Sequence, residues 1–298
     1  MKFCQQLSAY LRVKEYTGRQ LYKDMFEQAI LCDQGGYDSV ALTEHHLINI
    51  LMMPAPLQFA VKIAEATKNI KILTAVAVLP IHDMRIFAGE VIASQMFTDD
   101  RLILGVGRGA FAYEMTHLST PLEDSREKFN ESLDVLRALL LQEEVSWKGK
   151  YYNFESLTVM PRPMTKNGPP IMMAVLDPQG IYACTKRGFH IMTTPLSGDN
   201  QLMLDQVDGF VRAKSELKDK GKDLTLSLSR VAYVAKNDSD RKEKLEMAYE
   251  YYSRFDNVFT GPGIVNNGMI EILPRKQTIE ELDQSILICS AEEMIDKL

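Results

Sequence analysis

The chain has 298 residues, 34 Lys and Arg against 40 Asp and Glu (formal net charge −6), and 46% hydrophobic residues. That much apolar sequence excludes a disordered chain, and the acidic balance argues against a nucleic-acid binder, which concentrates Lys and Arg. Four cysteines without a Cys-x-x-Cys pair, no signal-peptide h-region and no apolar run of about 18 residues lead to the expectation of a cytoplasmic protein with reduced thiols and no membrane span.

Along the chain, apolar runs of strand length alternate with longer segments of helical period, the pattern of a parallel sheet. An extended segment at 2–9 precedes a helix over 19–34, with Leu21, Met25, Phe26, Ala29 and Ile30 on one face and Gly35-Gly36 ending it. Strand 39–43, helix 56–67, an almost unbroken apolar strand over 70–79, helix 85–97 and strand 101–105 follow. The strongest helical stripe runs over 124–141 through Phe129, Leu133, Leu136 and Leu140. Residues 145–170 break the rhythm with a hairpin and four prolines, and read as an excursion over the surface. Strand 171–175, helix 178–187, strand 189–193, helix 200–219, strand 224–235 and helix 238–253 resume it. Residues 255–285 show no clear period and read as a lid or disordered loop. The expected fold is therefore a single domain over 1–298, an α/β protein of the TIM (β/α)8 barrel class with insertions.

A barrel does its chemistry at the C-terminal ends of its strands. The second strand ends in Thr43-Glu44-His45-His46. Neighbouring side chains on a strand point to opposite faces, so the two histidines are poorly placed to share a metal, and no metal site is expected. A polar rim is one reading, and an imidazole aimed at substrate or cofactor for proton exchange is the other. The fourth strand ends in Gly105-Val106-Gly107-Arg108-Gly109, in which the third glycine comes one position too early for a dinucleotide fingerprint. Glycines there would let backbone N–H groups approach an anion, and Arg108 would supply a fork of donors. The fifth strand leads through Leu176-Asp177-Pro178-Gln179-Gly180 into a helix. That start could hold a phosphate on free N–H groups, or be an ordinary turn with Asp177 as N-cap. His82 and His117 sit alone in loops and read as surface residues, and His190 reads as a hydrogen-bonded core residue.

In order along residues 1–235, several motifs together resemble the bacterial luciferase-like flavin-dependent monooxygenases. They are Glu44-His45-His46, the run to Leu79-Pro80, Gly105-Val106-Gly107-Arg108-Gly109, Ser125-Arg126, Gly149-Lys150-Tyr151-Tyr152 and Pro161-Arg162-Pro163 before Pro169-Pro170. The resemblance implies reduced FMN supplied by a separate flavin reductase, and dioxygen adding at the flavin C4a position to give a (hydro)peroxyflavin. It implies a small apolar organic substrate, of the aldehyde or ketone class. It places His45, with Glu44, in the catalytic role and Arg108, beside Gly107, on the FMN phosphate. Ala75 and Val76, a pair often joined by a cis peptide in the family, would lie behind the isoalloxazine. Leu176, Asp177, Gln179 and Gly180 occupy the family's second phosphate turn, here without its usual Ser or Thr hydroxyls. Measured against relatives, the chain also reads as one β/α unit short, its last unit missing or truncated. The resemblance further implies a homodimer or a luciferase-like heterodimer. Two alternatives remain: an F420-dependent oxidoreductase of the same superfamily, and a non-catalytic partner subunit.

Overall fold

The β/α alternation is present in the computed structural model, which describes residues 1–13, 16–198 and 200–297. The chain divides into two compact units, Met1–Met172 and Met173–Leu298, where the sequence reads as one domain. The even β/α beat runs straight through the boundary, so no linker composition marks it.

The first unit holds β1 (Cys4–Leu7), α1 (Gly18–Gln34), β2 (Ser39–Leu42), α2 (Pro56–Ala66), β3 (Lys71–Thr74), β4 (Ala77–Val78), α3 (Met84–Phe97), β5 (Leu102–Gly107), α4 (Ala112–His117), α5 (Leu122–Leu141), β6 (Val145–Lys148) and β7 (Asn153–Leu157). Strands β1, β2, β3 and β5 pair in parallel in that order, with β4 also beside β5. Leu7 lies level with Leu42, and Leu42 with Thr74, so the C-terminal ends of three strands come out side by side. All four residues of β2 are buried, as a strand covered on both faces requires. Helix α1 starts where the Thr17 hydroxyl accepts from Gln20 N, and it buries Leu21, Met25, Ala29 and Cys32 on one stripe. Helix α5 buries the expected Phe129, Leu133, Leu136 and Leu140 together with Ser125, Ser132, Val135 and Leu139.

Two expectations in this unit are revised. The apolar run 70–79 is two short strands rather than one, interrupted at a cis peptide between Ala75 and Val76 and followed by a 3-10 turn at Leu79–Ile81. Apolar character is the same in both halves, so hydrophobicity cannot reveal the break. The segment after β5, expected as loop, contains α4. The surface excursion does open with a hairpin, β6 pairing antiparallel with β7. Its later prolines have a local role: Arg162, between Pro161 and Pro163, donates from Nη1 to Leu139 O (3.0 Å) and from Nη2 to Leu140 O (3.2 Å). Those are carbonyls that the end of α5 leaves without helical partners.

The second unit holds most of β8 (Ile171–Ala174, in which the division falls), α6 (Pro178–Lys186), β9 (His190–Thr193), α7 (Asn200–Leu217), β10 (Leu226–Leu228), β11 (Ala232–Val234), α8 (Asp238–Phe259), β12 (Val265–Asn266), β13 (Met269–Ile270), α9 (Ile279–Ser285), β14 (Leu287–Cys289) and α10 (Ala291–Lys297). Strands β8, β9 and β10 neighbour one another in that order, and β14 pairs in parallel with β11. About half of the segment 255–285, expected as a lid or disordered loop, is regular structure: the last turn of α8, the β12–β13 hairpin, and α9. Helix α9 is only seven residues long, too short for a periodic signal, and starts from a full capping box of Thr278 and Glu281. Asn257 holds the segment to α8, donating from Nδ2 to Ile264 O and Glu271 O while Oδ1 accepts from Ile264 N.

Candidate active site

The end of β2 gathers a group of ionisable side chains, two of them buried carboxylates. Glu44 is 3% exposed, and its carboxylate accepts from Val78 N (2.6 Å), His82 Nε2 (2.8 Å) and His46 Nε2 (3.3 Å). Burial would push its carboxyl up, but the donors from His46, His82 and the Val78 amide outweigh it and hold the pKa at about 2. The same contact to Glu44 raises the His46 imidazole, against burial. Glu44 thus reads as an anchor that ties the end of β2 to β4, with its oxygens already occupied. His82, expected at the surface, is a half-buried member of this group and stacks on Phe87 at 4.5 Å. The sequence shows it alone because its partner lies 38 residues away.

His45 has a different partner. Its Nδ1 stands 2.6 Å from Glu114 Oε2, and its ring stacks on Phe111 at 4.5 Å. The other oxygen of Glu114 accepts the His46 backbone N–H. Glu114 is 6% exposed and comes from α4, the helix that composition left in a loop. Its trace in the sequence is the i, i+3, i+4 spacing of Phe111, Glu114 and Met115, all three buried. A carboxylate on Nδ1 selects the tautomer with the proton there, which leaves Nε2 as the nitrogen that can meet a ligand. Backbone strain lies close by, with Leu47 (φ 64) and Leu51 (φ 50) in the left-handed region inside the loop that returns to pair His45 with Met53.

Next to this group, Ala75 and Val76 are partly open between the buried Thr74 and Ala77. Ala75 N donates to Leu42 O, which fixes the opening against the end of β2. A Cβ added to Gly107 would stand 2.6 Å from Val76 Cγ2, so only glycine lets β5 come this close to the cis pair. Arg108 is exposed at the end of β5, with Nη1 3.5 Å from the buried Ser125 hydroxyl. Partial burial and the nearby Arg126 charge both push its guanidinium down from its usual range. Among the described residues no carboxylate lies within ion-pair distance of Arg108, so its charge is available to an anion.

The residues expected at the second phosphate turn form an ordinary helix start. Asp177 is the N-cap of α6, its Oδ2 accepting from Gly180 N at 2.7 Å, and Pro178 occupies the first turn. The Gly180 N–H expected to hold a phosphate is therefore already taken by a carboxylate. Leu176 and Gln179 are exposed, and Leu176 O accepts from Gln206 Nε2. Among the described residues His117 is bonded only to its own helix, through Tyr113 O, and the half-buried His190 accepts at Nδ1 from Thr225 N.

A shielded imidazole–carboxylate pair beside the partly open Ala75–Val76 step, at the ends of parallel strands, is the working end of a barrel-type α/β enzyme. The chain belongs to the luciferase-like monooxygenase family, whose model matches residues 1–285. It is 25% identical, over 95% of its length and 81% of the relative's, to the oxygenase component of the flavin-dependent trigonelline monooxygenase of Acinetobacter baylyi. Its structure is similar to that of the oxygenating constituent of 3,6-diketocamphane monooxygenase from Pseudomonas putida, a type II Baeyer–Villiger monooxygenase solved in complex with FMN. There the TM-score is 0.79 at 17% identity, covering 100% of this chain and 86% of that one. An F420-dependent secondary alcohol dehydrogenase, in complex with an F420–acetone adduct, gives a TM-score of 0.74 at 18% identity, over 100% of this chain and 89% of that one. Both likenesses show the fold, the curled parallel sheet of TIM-barrel type expected from the β/α beat.

Proposed function

We propose that this chain is the oxygenase component of a two-component system that takes reduced FMN from a separate flavin reductase and oxygenates a small apolar aldehyde or ketone with dioxygen in the cytoplasm. The observation that carries the reading is the His45–Glu114 pair beside the opening at Ala75–Val76. The residues present fit a flat ring with a phosphate tail. Ala75 and Val76, partly open to solvent, would lie behind the ring, with Gly107 beneath them letting Val76 pack close against β5. Arg108 would hold the phosphate, because its charge has no partner of its own among the described residues. Reduced flavin, when bound, supplies the two electrons that activate dioxygen.

His45 works from Nε2. With Glu114 fixing the proton on Nδ1, Nε2 can accept a proton from, or as imidazolium return one to, a group bound in the opening. Phe111 against the imidazole face and the low exposure of Glu114 keep water from competing for the pair. Glu44 keeps the strand end and β4 together and exchanges no proton in the neutral range, since its pKa lies near 2.

The test is a reductase-coupled assay with FMN, 18O-labelled dioxygen and a panel of aldehydes and ketones. One labelled oxygen atom should appear in the product, and His45→Ala should lower turnover about 10²- to 10⁴-fold without loss of fold. Tight binding of F420 with no affinity for FMN would instead identify a deazaflavin oxidoreductase. Activity that survives His45→Ala, or that appears only with a homologous subunit, would overturn the assignment.

A further inference from the structure

The Gly149-Lys150-Tyr151-Tyr152 motif has no part in the chemistry above, yet a single carboxylate binds most of it. One carboxylate, Glu131 of α5, accepts from Trp147 Nε1 (3.2 Å), Lys150 N (3.1 Å), Tyr151 N (3.0 Å) and Tyr152 N (3.0 Å). A Cβ on Gly149 would overlap that carboxylate, which accounts for the glycine. Four donors on one side chain fix the turn as a rigid unit on α5.

The turn then buries one tyrosine. Tyr152 is 6% exposed, and its hydroxyl lies 3.1 Å from His82 O and 3.0 Å from Ser132 Oγ. A carbonyl can only accept, so the single phenolic proton goes to His82 O and the Ser132 hydroxyl donates to the phenol oxygen. The hairpin also places Phe154 of β7 beneath the Arg85 guanidinium, at 6.0 Å. It therefore grips the chain at 82–85, immediately before and within the first turn of α3, at two points. His82 in turn donates to Glu44, Glu44 holds the His46 ring, and the His46 backbone N–H donates to Glu114, the partner of His45.

We propose that the β6–β7 hairpin is a positioning element for the His45 pair and that Tyr152 is its positioning residue, acting through the main chain of His82. Every link is a hydrogen bond, and His82 and His46 share one oxygen of the buried Glu44, so a displacement of His82 alters the contact that holds His46. The charged groups around the tyrosine are Asp83, Arg85 and Glu131, and none of them bonds to its hydroxyl.

The effect on rate rests on the functional reading above, but the structural link can be measured without it. Tyr152→Phe removes only the hydroxyl. In the ligand-free protein, the ring 15N resonances of His82 and of His45 should both shift from their wild-type positions. In the reductase-coupled assay, kcat should fall about five- to tenfold, the rate equivalent of one neutral hydrogen bond. KM for the flavin should stay within about twofold, because no residue placed on the flavin has moved. The double variant Tyr152→Phe/His82→Ala should lose no more than His82→Ala alone, since both act on one line. Glu131→Gln, which weakens the grip on the turn but keeps its shape, provides a second variant and should shift the same two resonances. Wild-type His45 resonances in both variants, or losses that multiply in the double variant, would overturn the proposal. Shifted resonances with no turnover of any substrate would instead mark a failure of the functional reading alone.

Discussion

Glu44 and Glu114 lie in the same buried group, and their partners give them different work. Glu44 is held as an anion by two imidazoles and an amide, and Glu114 divides its oxygens between the His45 ring and the His46 backbone. Because the folded state lowers the Glu44 pKa from 4.5 to about 2, it binds fewer protons there than the unfolded chain. Its stabilisation is complete above pH 4.5 and fades as the pH falls through 2, an effect of about 3 kcal/mol. His46 titrates the other way: its raised pKa adds stability below about pH 6.5, and that is lost as the pH rises through the raised value. Urea midpoints should therefore be highest between about pH 4.5 and 6.5, and Glu44→Gln should flatten the acid side of that profile. An unchanged acid limb in Glu44→Gln would remove Glu44 from this role. At Gly107, alanine must displace the stiff Val76 side chain, so Gly107→Ala should cost about 1–3 kcal/mol in chemical denaturation and weaken flavin binding in titration.

At the scale of elements, long periodic segments are legible in the sequence and short ones are not. Helix α5 shows its stripe because twenty residues repeat it several times, and the buried Leu136 should cost about 2–5 kcal/mol as Leu136→Ala in equilibrium unfolding. Helices α4 and α9 have six and seven residues, under two turns, and both fall in segments that composition reads as loop. Yet α4 supplies Glu114, half of the candidate catalytic pair. The capping box of α9 is readable once it is looked for. Thr278→Ala should lower stability by about 1 kcal/mol and speed amide exchange locally over 279–285, and unchanged exchange there would show that packing alone holds the helix. Ser290-Ala291-Glu292-Glu293 has the sequence pattern of a capping box, and both of its bonds are present at the start of α10.

At the scale of the whole molecule, the net charge of −6 would repel an anionic cofactor, so recognition of one must be local. Arg108 is where that local charge stands, beside Arg126 and without a carboxylate partner among the described residues. If it holds the FMN phosphate, Arg108→Gln should weaken FMN binding about ten- to a hundredfold and leave riboflavin, which lacks the phosphate, unchanged in the same fluorescence titration. Equal losses for the two flavins would show that Arg108 acts on the fold rather than on the phosphate. Asp177 makes the complementary case. Its carboxylate already caps α6, so Asp177→Asn should preserve the cap and leave FMN affinity close to that of the wild type.

The sequence by itself determined the β/α alternation, the α/β barrel class, the family resemblance, and His45, Ala75, Val76, Gly107 and Arg108 as candidates. Those follow from composition, from periods repeated over many residues, and from motifs whose members are neighbours in the chain. Only the tertiary structure decided that His45 pairs with Glu114, that His82 joins Glu44, that the Gly180 N–H is taken by Asp177, and that a surface hairpin reaches His82 through Tyr152. Three of these join residues whose pairing no local pattern specifies, 69 positions apart for His45 and Glu114, 38 for His82 and Glu44 and 70 for Tyr152 and His82, whereas the local N-cap pattern offers the bond of Asp177 to Gly180, three positions on, and geometry chooses it over a phosphate contact. A hydrogen bond depends on distance and direction in space, and over most of these separations the chain sets neither until the strands have paired.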